Sequence, residues 1–321
     1  MIVTVTINPS VDRTIQLPSR LVRDSVLRAS AVTSQAAGKG VNVSRALAHA
    51  SIPTRAIVRA DYHDPYVREL VESGLAVVTV DPGASVRTNI SLAEPDGTTT
   101  KINEPGSPLS AAAVAALHDV VAAEAPRASW VVLAGSLPPG ADVELLADLA
   151  RTARIAAPAV RIAVDTSGAP LTALRTAGVR IDLIKPNLEE LAELTGSNPA
   201  TLGTPEAVAS ACTALRADGI AAVLATLGAA GAVLASADGA WHATHPPVIA
   251  RSTVGAGDSS LAGYLIADAE RLSPAARLAR AVAYGSAAVS LPGTTIPRPT
   301  DTRPDQVTVT EIHLPATVTA P

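Results

Sequence analysis

Gly255, Ala256, Gly257 and Asp258 combine a predicted anion site with a carboxylate. The small residues leave backbone N–H groups uncovered, and the apolar pattern behind them predicts a helix over 257–270. The first turn of a helix has unpaired donors and the positive end of the dipole, so it favours a bound anion such as phosphate. A carboxylate beside that phosphate suggests a group that orients or deprotonates a hydroxyl attacking phosphorus. The alternative is that Asp258 only caps the helix, which aspartate does well.

A second predicted helix start, within residues 38–50, contains Lys39 and Asn42 among glycines. Apolar residues recur on one face of this segment, which places both polar residues at its exposed beginning. The segment is not a Walker loop, because Gly40 stands where that loop needs serine or threonine after its lysine. A dinucleotide-binding loop is also excluded, because Val43 occupies the position of its third glycine. The sequence therefore supports neither a P-loop enzyme nor a Rossmann dehydrogenase.

Several apolar runs that predict buried strands end in polar or flexible residues. The runs 2–7, 130–134, 161–164, 181–184 and 221–226 lead into Asn8-Pro9, Gly135-Ser136, Asp165, Lys185-Pro186-Asn187 and Leu227-Gly228. Helical patterns alternate with these runs, which predicts an α/β fold with a mostly parallel sheet. Ligands of such sheets bind at the carboxyl ends of the strands. Asp12 is assigned to the carboxyl end of the first strand, with a turn-forming role as the alternative.

Asn187 and Glu190 are three residues apart at the start of a predicted helix, so their side chains lie on one face. Their oxygens could hold a hydrated Mg²⁺, although carboxylates at a helix start also serve as dipole partners alone. Further along the chain, Gly228 and Gly231 suit a close approach of the backbone to a ligand. These residues form a second group of candidates for binding a phosphorylated ligand.

A threonine-rich hairpin interrupts the α/β alternation. The strands 87–94 and 98–103 flank Pro95-Asp96-Gly97, which is typical of a turn between paired strands. We interpret the hairpin as a lid or side sheet, with residues 11–37 as its partner. Its polar side chains fall at alternate positions, so they share one face within each strand; they are Arg87, Asn89, Lys101 and Asn103. This face is either a polar wall over an anionic substrate or a solvated strand face.

The composition narrows the possible partners. The 321 residues are 48% hydrophobic but only 2% aromatic, and the formal charge is −4, so neither a stacking surface nor a basic patch for nucleic acid is predicted. No apolar run reaches the ~20 residues of a membrane helix, and the first residues lack the features of a signal peptide. The lone Cys212 cannot form an internal disulfide or a cysteine metal cluster, which fits a reducing cytoplasm.

Together these motifs resemble the PfkB, or ribokinase-like, family of carbohydrate kinases, from the first strand to about residue 300. Residues 37–44 resemble the first signature of the family, and residues 252–265 resemble the second throughout. The resemblance implies a three-layer α/β/α core built from residues 1–10, 38–85 and 105–321. It also implies a β lid of residues 11–37 and 86–104, and a homodimer formed through that lid.

The resemblance assigns a role to each candidate residue. Asp258 would be the catalytic base, and the amides of Gly255, Ala256 and Gly257 would form the anion hole. The residues implied to bind the sugar phosphate are Asp12, Gly38, Lys39, Asn42, Arg87, Asn89, Lys101, Asn103 and Ser136. Those implied to bind ATP are Lys185, Asn187, Thr226, Gly228, Gly231 and Gly257, with Asn187 and Glu190 organising Mg²⁺.

Within the family, the chain is most similar to the branch that acts on already phosphorylated ketohexoses. The resemblance implies ATP-dependent phosphorylation of fructose 1-phosphate at O6, with Mg²⁺ and a monovalent cation such as K⁺ as cofactors. The alternatives are tagatose 6-phosphate or fructose 6-phosphate as substrate, another sugar or nucleoside kinase, and a non-catalytic sugar-phosphate sensor. One loop departs from the family pattern, because residues 59–65 replace a glycine-rich turn that borders the sugar pocket.

Overall fold

Strands buried on both faces form the centre of the molecule, and most of their residues are apolar. The computed structural model describes residues 1–80, 83 and 85–314. In chain order the strands are β1 Ile2–Thr6, β2 Ser10–Gln16, β3 Ala31–Ala37, β4 Thr54–Arg59, β5 Val77–Val80, β6 Arg87–Ala93, β7 Thr99–Asn103, β8 Trp130–Ala134, β9 Arg161–Asp165, β10 Leu183–Ile184, β11 Val223–Thr226, β12 Ala232–Ser236, β13 Gly239–Thr244 and β14 Thr308–Ile312. The α-helices are α1 Lys39–His49, α2 Pro65–Glu72, α3 Ala111–Glu124, α4 Leu145–Ala156, α5 Ala169–Ala173, α6 Leu188–Thr195, α7 Pro205–Ala214, α8 Ala256–Ala269 and α9 Pro274–Ser290.

Ten of these strands form one mixed sheet in the order β14-β13-β12-β11-β10-β9-β8-β1-β4-β5. The strands from β11 through β5 pair in parallel, and β12, β13 and β14 continue the sheet in antiparallel fashion. Strands β12 and β13 form a hairpin, and β14 is the edge strand beside it. The predicted fold class, an α/β core with a mostly parallel sheet and a separate small sheet, is confirmed.

Helices cover both faces of the large sheet. Apolar residues of α3 through α7 pack on one face, and those of α1, α8 and α9 pack on the other. Helix α1 lies so close to β1 that a Cβ on Gly40 would be 2.5 Å from Thr6 Oγ1. The hydroxyls of Thr4 and Ser44 are 2.8 Å apart across the same contact. This close packing holds the start of α1 at the carboxyl end of β1.

The small sheet has the strand order β3-β2-β6-β7. It contains strands from both stretches that the sequence assigns to the lid, and the predicted hairpin is present as β6 and β7. The exact extent of the lid and core domains stays a prediction. Residues 81, 82, 84 and 315–321, which the sequence assigns to the core, lie outside the described residues.

Two details of the secondary structure predicted from the sequence were wrong. Asp12 is not at the carboxyl end of the first strand: β1 stops at Thr6, and Asp12 is the third residue of β2. Pro9 cannot donate to the large sheet, and the chain leaves that sheet there to begin the lid. The predicted strand 181–184 is shorter, because only Leu183–Ile184 is regular and Ile181 forms an isolated bridge.

A buried carboxylate joins four elements at the end of the large sheet away from the lid. Asp268, near the end of α8, accepts hydrogen bonds from Trp130 Nε1 at 2.8 Å and from Arg161 at 2.9 Å. Arg277 of α9 lies 3.1 Å from the same carboxylate. The Arg161 guanidinium also stacks 4.4 Å from the centre of the Trp130 ring. This network fixes α8 at the end opposite to the predicted anion site.

No helix in the described part of the chain is long and apolar enough to cross a lipid bilayer.

Candidate active site

The carboxyl ends of the parallel strands bring the predicted site residues to one edge of the large sheet. Thr226 ends β11, Asp165 ends β9, and Lys185 directly follows β10. Neighbouring parallel strands end side by side, so residues far apart in the chain become adjacent at this edge. The starts of α1 and α8 lie over the same edge, because Asn42 of α1 bonds to Asp258 of α8.

Helix α8 begins without a side-chain cap. Its N-cap is Gly255 in the left-handed conformation with φ of 76°, and no described side chain caps this end. Glycine adopts this conformation at little cost, and its lack of a side chain leaves the first backbone N–H groups accessible. The predicted amides of Gly255, Ala256 and Gly257 therefore lie at a helix start with unpaired donors.

Asp258 is buried, with 7% of its surface exposed, and does not cap the helix. Its Oδ2 instead accepts a hydrogen bond of 2.8 Å from the Asn42 side chain. The alternative in which Asp258 serves only as a cap is therefore wrong. The carboxylate lies between the starts of α1 and α8.

A second buried carboxylate, Asp165, lies in the same cluster. Lys39 Nζ is 2.7 Å from its Oδ1, and Lys185 Nζ is 3.1 Å from its Oδ2. A Cβ on Gly257 would be 2.9 Å from Lys185 Nζ, so this ammonium group lies against the first turn of α8. Two cations and the helix amides thus converge on one space beside Asp258.

The charges of this cluster change the protonation of its members. Burial and then the charge of Asp165 raise the pKa of Asp258 to about 6, against opposing effects of Lys39, Asn42 and Lys185. Burial alone would lower the pKa of Lys39, but Asp165 and Asp258 outweigh it and raise the pKa above its ordinary value. Asp258 is therefore mostly ionised near neutral pH with a pKa close to the working range, which suits a general base.

The lid presents a polar wall on one face. Asp12 pairs with Asn89 in register, and Asn89 pairs with Asn103 on its other side. Asn89 Nδ2 donates to Asp12 Oδ1 at 3.0 Å. In the described part of the chain, Oδ1 of Asn89 and Oδ1 of Asn42 are buried without a hydrogen-bond partner. Buried polar atoms without partners are rare, so these two oxygens are suited to hydroxyls of a bound ligand.

Arg87 lies at the root of the lid, opposite Ser10 in the sheet. Its guanidinium donates to the Glu104 carbonyl at 2.7 Å and lies 3.4 Å from Ser136 Oγ. Burial lowers the pKa of Arg87, although Asp12 and Glu104 oppose this shift. A cavity of about 340 Å³ borders Arg87 and Glu104, which is within the usual size of small-ligand sites. Arg87 and Ser136 are thus together, as expected if both face one substrate.

Lys101 and Gly38 differ in their surroundings. Lys101 pairs with Ser91, two residue pairs further along the strands than the Asn89–Asn103 pair, and it is exposed. Its position is on the polar face, but its role stays a prediction. Gly38 has φ of 137°, and a Cβ there would be 2.7 Å from Thr6 Cγ2, so only glycine fits between β3 and α1.

Asn187 and Glu190 interlock at the start of α6. Asn187 Oδ1 accepts from the Glu190 backbone N–H, and Glu190 Oε2 accepts from the Asn187 N–H, both at 2.8 Å. This capping box accounts for one oxygen of each side chain. No group of three or more His, Cys, Asp or Glu residues that could hold a metal occurs among the described residues. The donors fit Mg²⁺ only in its usual nucleotide mode, with one or two protein oxygens plus phosphates and water.

The remaining nucleotide-site candidates lie beside α6. The Thr226 backbone N–H donates to the Pro186 carbonyl at 2.9 Å, and Thr226 bridges to Asn187. Gly228 has φ of 58° and has open space where a Cβ would be. Gly231 has φ of 88°, but a Cβ there would be only 1.9 Å from the Ala243 carbonyl oxygen. The packing of the β12–β13 hairpin therefore requires Gly231, whatever it contributes to a ligand.

The loop that departs from the expected glycine-rich turn is held to the core. Arg59 is buried, and its guanidinium donates to the carbonyls of Ser107 at 2.8 Å and Pro108 at 2.7 Å. Asp64 caps α2 by accepting from the Tyr66 N–H at 2.8 Å. The loop thus fixes the segment that leaves the lid.

Sequence reasoning missed the role of Asp165 and of Asn8. Asp165 was placed at the ligand edge without a function, since nothing local to it shows that two distant lysines bind its carboxylate. Asn8 Nδ2 donates to the Pro105 carbonyl at 3.1 Å and so joins the two connections between lid and core. The sequence signals for this contact were an asparagine before Pro9 and a glycine after Pro105. Glycine is required at 106, because a Cβ there would be 2.2 Å from Asn8 Oδ1.

A ribokinase-like fold and a buried carboxylate at an uncapped, lysine-flanked helix start define the class of phosphotransferases that act on an alcohol. A family model described as pfkB family carbohydrate kinase matches residues 5–301. The chain belongs to this family of ATP-dependent sugar kinases.

Individual relatives agree with the family model. A 1-phosphofructokinase from Xanthomonas campestris pv. campestris is 38% identical over 290 residues, covering 87% of this chain and 88% of the relative. A 1-phosphofructokinase from Rhodobacter capsulatus is 36% identical over 293 residues, covering 89% of this chain and 90% of the relative. The solved structure of phosphofructokinase-2 from Escherichia coli in complex with potassium superimposes with a TM-score of 0.85 at 31% identity, covering 94% of this chain and 96% of that one. The resemblance inferred from the motifs is confirmed.

Proposed function

We propose that this kinase transfers the γ-phosphoryl group of ATP to the O6 hydroxyl of fructose 1-phosphate. The observation that carries the proposal is the position of Asp258, buried at the uncapped start of α8 and bonded to Asn42. Arg87 on the lid supplies a cation for a substrate that already carries a phosphate. The names of the two relatives at 38% and 36% identity support the same substrate.

In the proposed reaction, Asp258 accepts the proton of the attacking hydroxyl. Asn42 holds the carboxylate through its 2.8 Å hydrogen bond and keeps it oriented toward the acceptor. The first N–H groups of α8 and the two ammonium groups stabilise negative charge on the transferring phosphoryl group. Arg87 holds the substrate phosphate, and the lid amides hold sugar hydroxyls. Asp12, Asn89 and Asn103 thereby orient the sugar so that its far hydroxyl meets Asp258.

The proposed cofactors are Mg²⁺ and a monovalent cation. Asn187 and Glu190 would hold hydrated Mg²⁺ near the nucleotide phosphates, and the metal neutralises charge on those phosphates when bound. The solved Escherichia coli relative is described in complex with potassium, which supports K⁺ as the monovalent cation. A cytoplasmic location stays a prediction from the cysteine content.

The function is tested by measuring ADP release from Mg-ATP with five acceptors. These are fructose 1-phosphate, fructose 6-phosphate, tagatose 6-phosphate, fructose and ribose. We expect a higher kcat/KM for the phosphorylated ketohexoses than for the free sugars, because Arg87 can bind a phosphate that free sugars lack. Among the phosphorylated acceptors we expect the highest value for fructose 1-phosphate, the substrate indicated by the names of the two relatives. A preference for any of the other four acceptors would contradict the proposal, and release of ADP with none of the five would favour a sugar-phosphate sensor.

Replacing Glu190 with glutamine should raise the Mg²⁺ concentration needed for half-maximal rate. Glutamine keeps an oxygen that can accept from the Asn187 N–H, so the capping box at α6 survives while the charge is lost. A Mg²⁺ titration of kcat measures the effect, and thermal unfolding checks that the helix start is intact. Glu189→Gln, next to it in the first turn of α6, is the matched control for the helix dipole. An unchanged Mg²⁺ curve would reduce Glu190 to a helix-start carboxylate.

We further propose that two copies associate through the outer face of the lid. The strand register places the polar wall on one face and an apolar set on the other, namely Ile15, Val32, Ile90, Leu92 and Ile102. Val32 is 47% exposed and Ile102 is 54% exposed in the single chain. An apolar sheet face of this kind favours burial against an equivalent face.

The double variant Val32→Glu, Ile102→Glu should therefore be monomeric, with a mass near the 32.4 kDa of one chain. The parent should show twice that mass by size-exclusion chromatography with light scattering. Both positions are exposed in one chain, so the substitutions should leave its fold intact. Ile155→Glu is the control, because Ile155 is 83% exposed on α4 of the core and should leave the dimer unchanged. A monomeric parent, or a variant that still dimerises, would contradict this assignment.

A further inference from the structure

The carboxylate of Asp165 is fully buried, and each of its oxygens faces a different lysine. Lys39 Nζ is 2.7 Å from Oδ1, and Lys185 Nζ is 3.1 Å from Oδ2. Lys185 is only 5% exposed, whereas Lys39 is 36% exposed. Burial alone would raise the pKa of Asp165, but Lys185 and Lys39 outweigh it and lower the pKa below its usual value. The Asp165 carboxylate is therefore ionised and lies between two cations.

The two lysines belong to different halves of the site. Lys39 begins α1, three residues before Asn42 and beside the root of the lid, where the acceptor sugar is proposed to bind. Lys185 follows β10, two residues before the N-cap of α6 on the nucleotide side. Its ammonium group also lies against Gly257 in the first turn of α8. Asp165 thus joins a cation of the acceptor half to a cation of the nucleotide half.

We propose that Asp165 is a positioning residue for phosphoryl transfer, holding Lys39 and Lys185 on either side of the space before the α8 start. This inference rests on the proposed function. Free lysine side chains have many rotamers, and fixing both ammonium groups in advance removes that freedom before the transition state forms. With Asp165 ionised, Lys39, Lys185 and Asp165 together have a net charge of +1, whereas the two lysines alone would have +2. The lysines are then less able to bind phosphate oxygens strongly in the ground state.

Asp165 also acts on the proposed base. The groups facing Asp258 are Lys39 and Asn42 from α1, Asp165 from β9 and Lys185 after β10. On the α9 side, Gly285 lies against this turn of α8, since a Cβ there would be 3.4 Å from the Ala256 carbonyl oxygen. Asp165 is the anion in this set, so its charge favours the protonated form of Asp258. Its removal should make Asp258 less basic.

Asp165→Asn is the test, because it keeps the shape of the side chain and removes its charge. We expect kcat to fall about 10²-fold, as for other small displacements of catalytic groups. The Kd of ADP, measured by calorimetry, should stay equal or become lower, because two uncompensated cations attract phosphate. The acid limb of the kcat/KM profile should move from near pH 6 to lower pH. Asp165→Glu, which keeps the charge, should leave that limb near its parent position.

Asp268→Asn is the matched control. Asp268 is an equally buried carboxylate that binds two arginines, at the opposite end of α8. Its loss should lower the Tm but leave kcat within about twofold and the acid limb unmoved, at a temperature where the variant is folded. If Asp165→Asn behaves in the same way, or loses ADP binding in proportion to its Tm, Asp165 is only structural and the proposal is overturned.

The test of Asp165 can be distinguished from the test of the proposed function. The parent rate with fructose 1-phosphate tests the function, and the ratio of variant to parent rate, on whichever acceptor the parent phosphorylates, tests Asp165. Carboxyl ¹³C NMR titration of Asp258 without any substrate adds a measurement that needs no turnover. A lower pKa of Asp258 in Asp165→Asn than in the parent supports the inference, and an unchanged pKa contradicts it.

Discussion

Replacing Asp258 with asparagine is expected to lower kcat by at least about 10²-fold, because the amide keeps the shape of the side chain but cannot accept the proton. Asparagine can still bond to Asn42 after an amide rotation, so the contact between α1 and α8 is retained. ADP binding should survive, since the N–H groups of the α8 start are untouched. Steady-state kinetics with saturating ATP and acceptor measures the loss.

The pH dependence of the parent enzyme's kinetics is a second test of Asp258. Asp258 acts as a base only when ionised, and its pKa in the ligand-free protein is raised to about 6, so kcat/KM should fall as the pH drops through about 6. Asp258→Asn should lack this limb. A variant that keeps near-parent turnover, or that keeps the limb, would contradict the assignment of Asp258 as the base. Asp182→Asn is a suitable control, because Asp182 is a half-buried carboxylate paired with Arg154 and Arg180, away from the site edge.

Replacing Arg87 with alanine is expected to raise the KM for the phosphorylated sugar about tenfold or more, with the KM for ATP nearly unchanged. The net charge of the chain is −4, so attraction by the whole molecule cannot draw in a phosphosugar, and local cations must bind it. A guanidinium can hold two phosphate oxygens at once, and charge-assisted bonds of this kind contribute roughly 1.5 to 3 kcal/mol each. Arg87→Lys should recover only part of the affinity, because a point charge replaces a planar fork.

The two faces of β2 and β6 offer a matched control for this variant. Arg13 lies in the same small sheet but points to the opposite face from Asp12, and it is exposed. That face is the one proposed to associate with a second copy, so Arg13→Ala should leave both KM values near those of the parent in protein shown by light scattering to keep the parent mass. Equal increases of both KM values in Arg87→Ala would indicate a lid that has lost its fold, and circular dichroism would show it. No change in either KM would mean that Arg87 is a solvated strand residue.

The sequence predicted the fold well where the signal is periodic or short-range. The apolar strands, the Pro95-Asp96-Gly97 hairpin and the helices behind Gly38 and Gly255 all depend on local patterns. Side-chain periodicity also placed Asn89 and Asn103 on one face within their strands, and the register makes them direct neighbours. Asp12 was misplaced because apolar periodicity shows where β1 stops but not which sheet the chain enters next.

Side-chain contacts between residues far apart in the chain could not be predicted from local sequence patterns. Asn42 and Asp258 are 216 residues apart in the chain, and Lys39 and Asp165 are 126 apart. Only the strand order brings these side chains together, and spacing within a motif contains no information about it. The same limit hid the contact that makes Gly231 indispensable to the β12–β13 hairpin. The capping box of Asn187 and Glu190, by contrast, was within reach, because its two members are three residues apart.

The most direct test of the proposed function is ³¹P NMR of the product formed from fructose 1-phosphate and Mg-ATP. We expect stoichiometric ADP and a new phosphomonoester signal at C6, from fructose 1,6-bisphosphate, with the parent protein and not with Asp258→Asn. Formation of ADP with inorganic phosphate alone, or a product phosphorylated at any position other than C6, would contradict it.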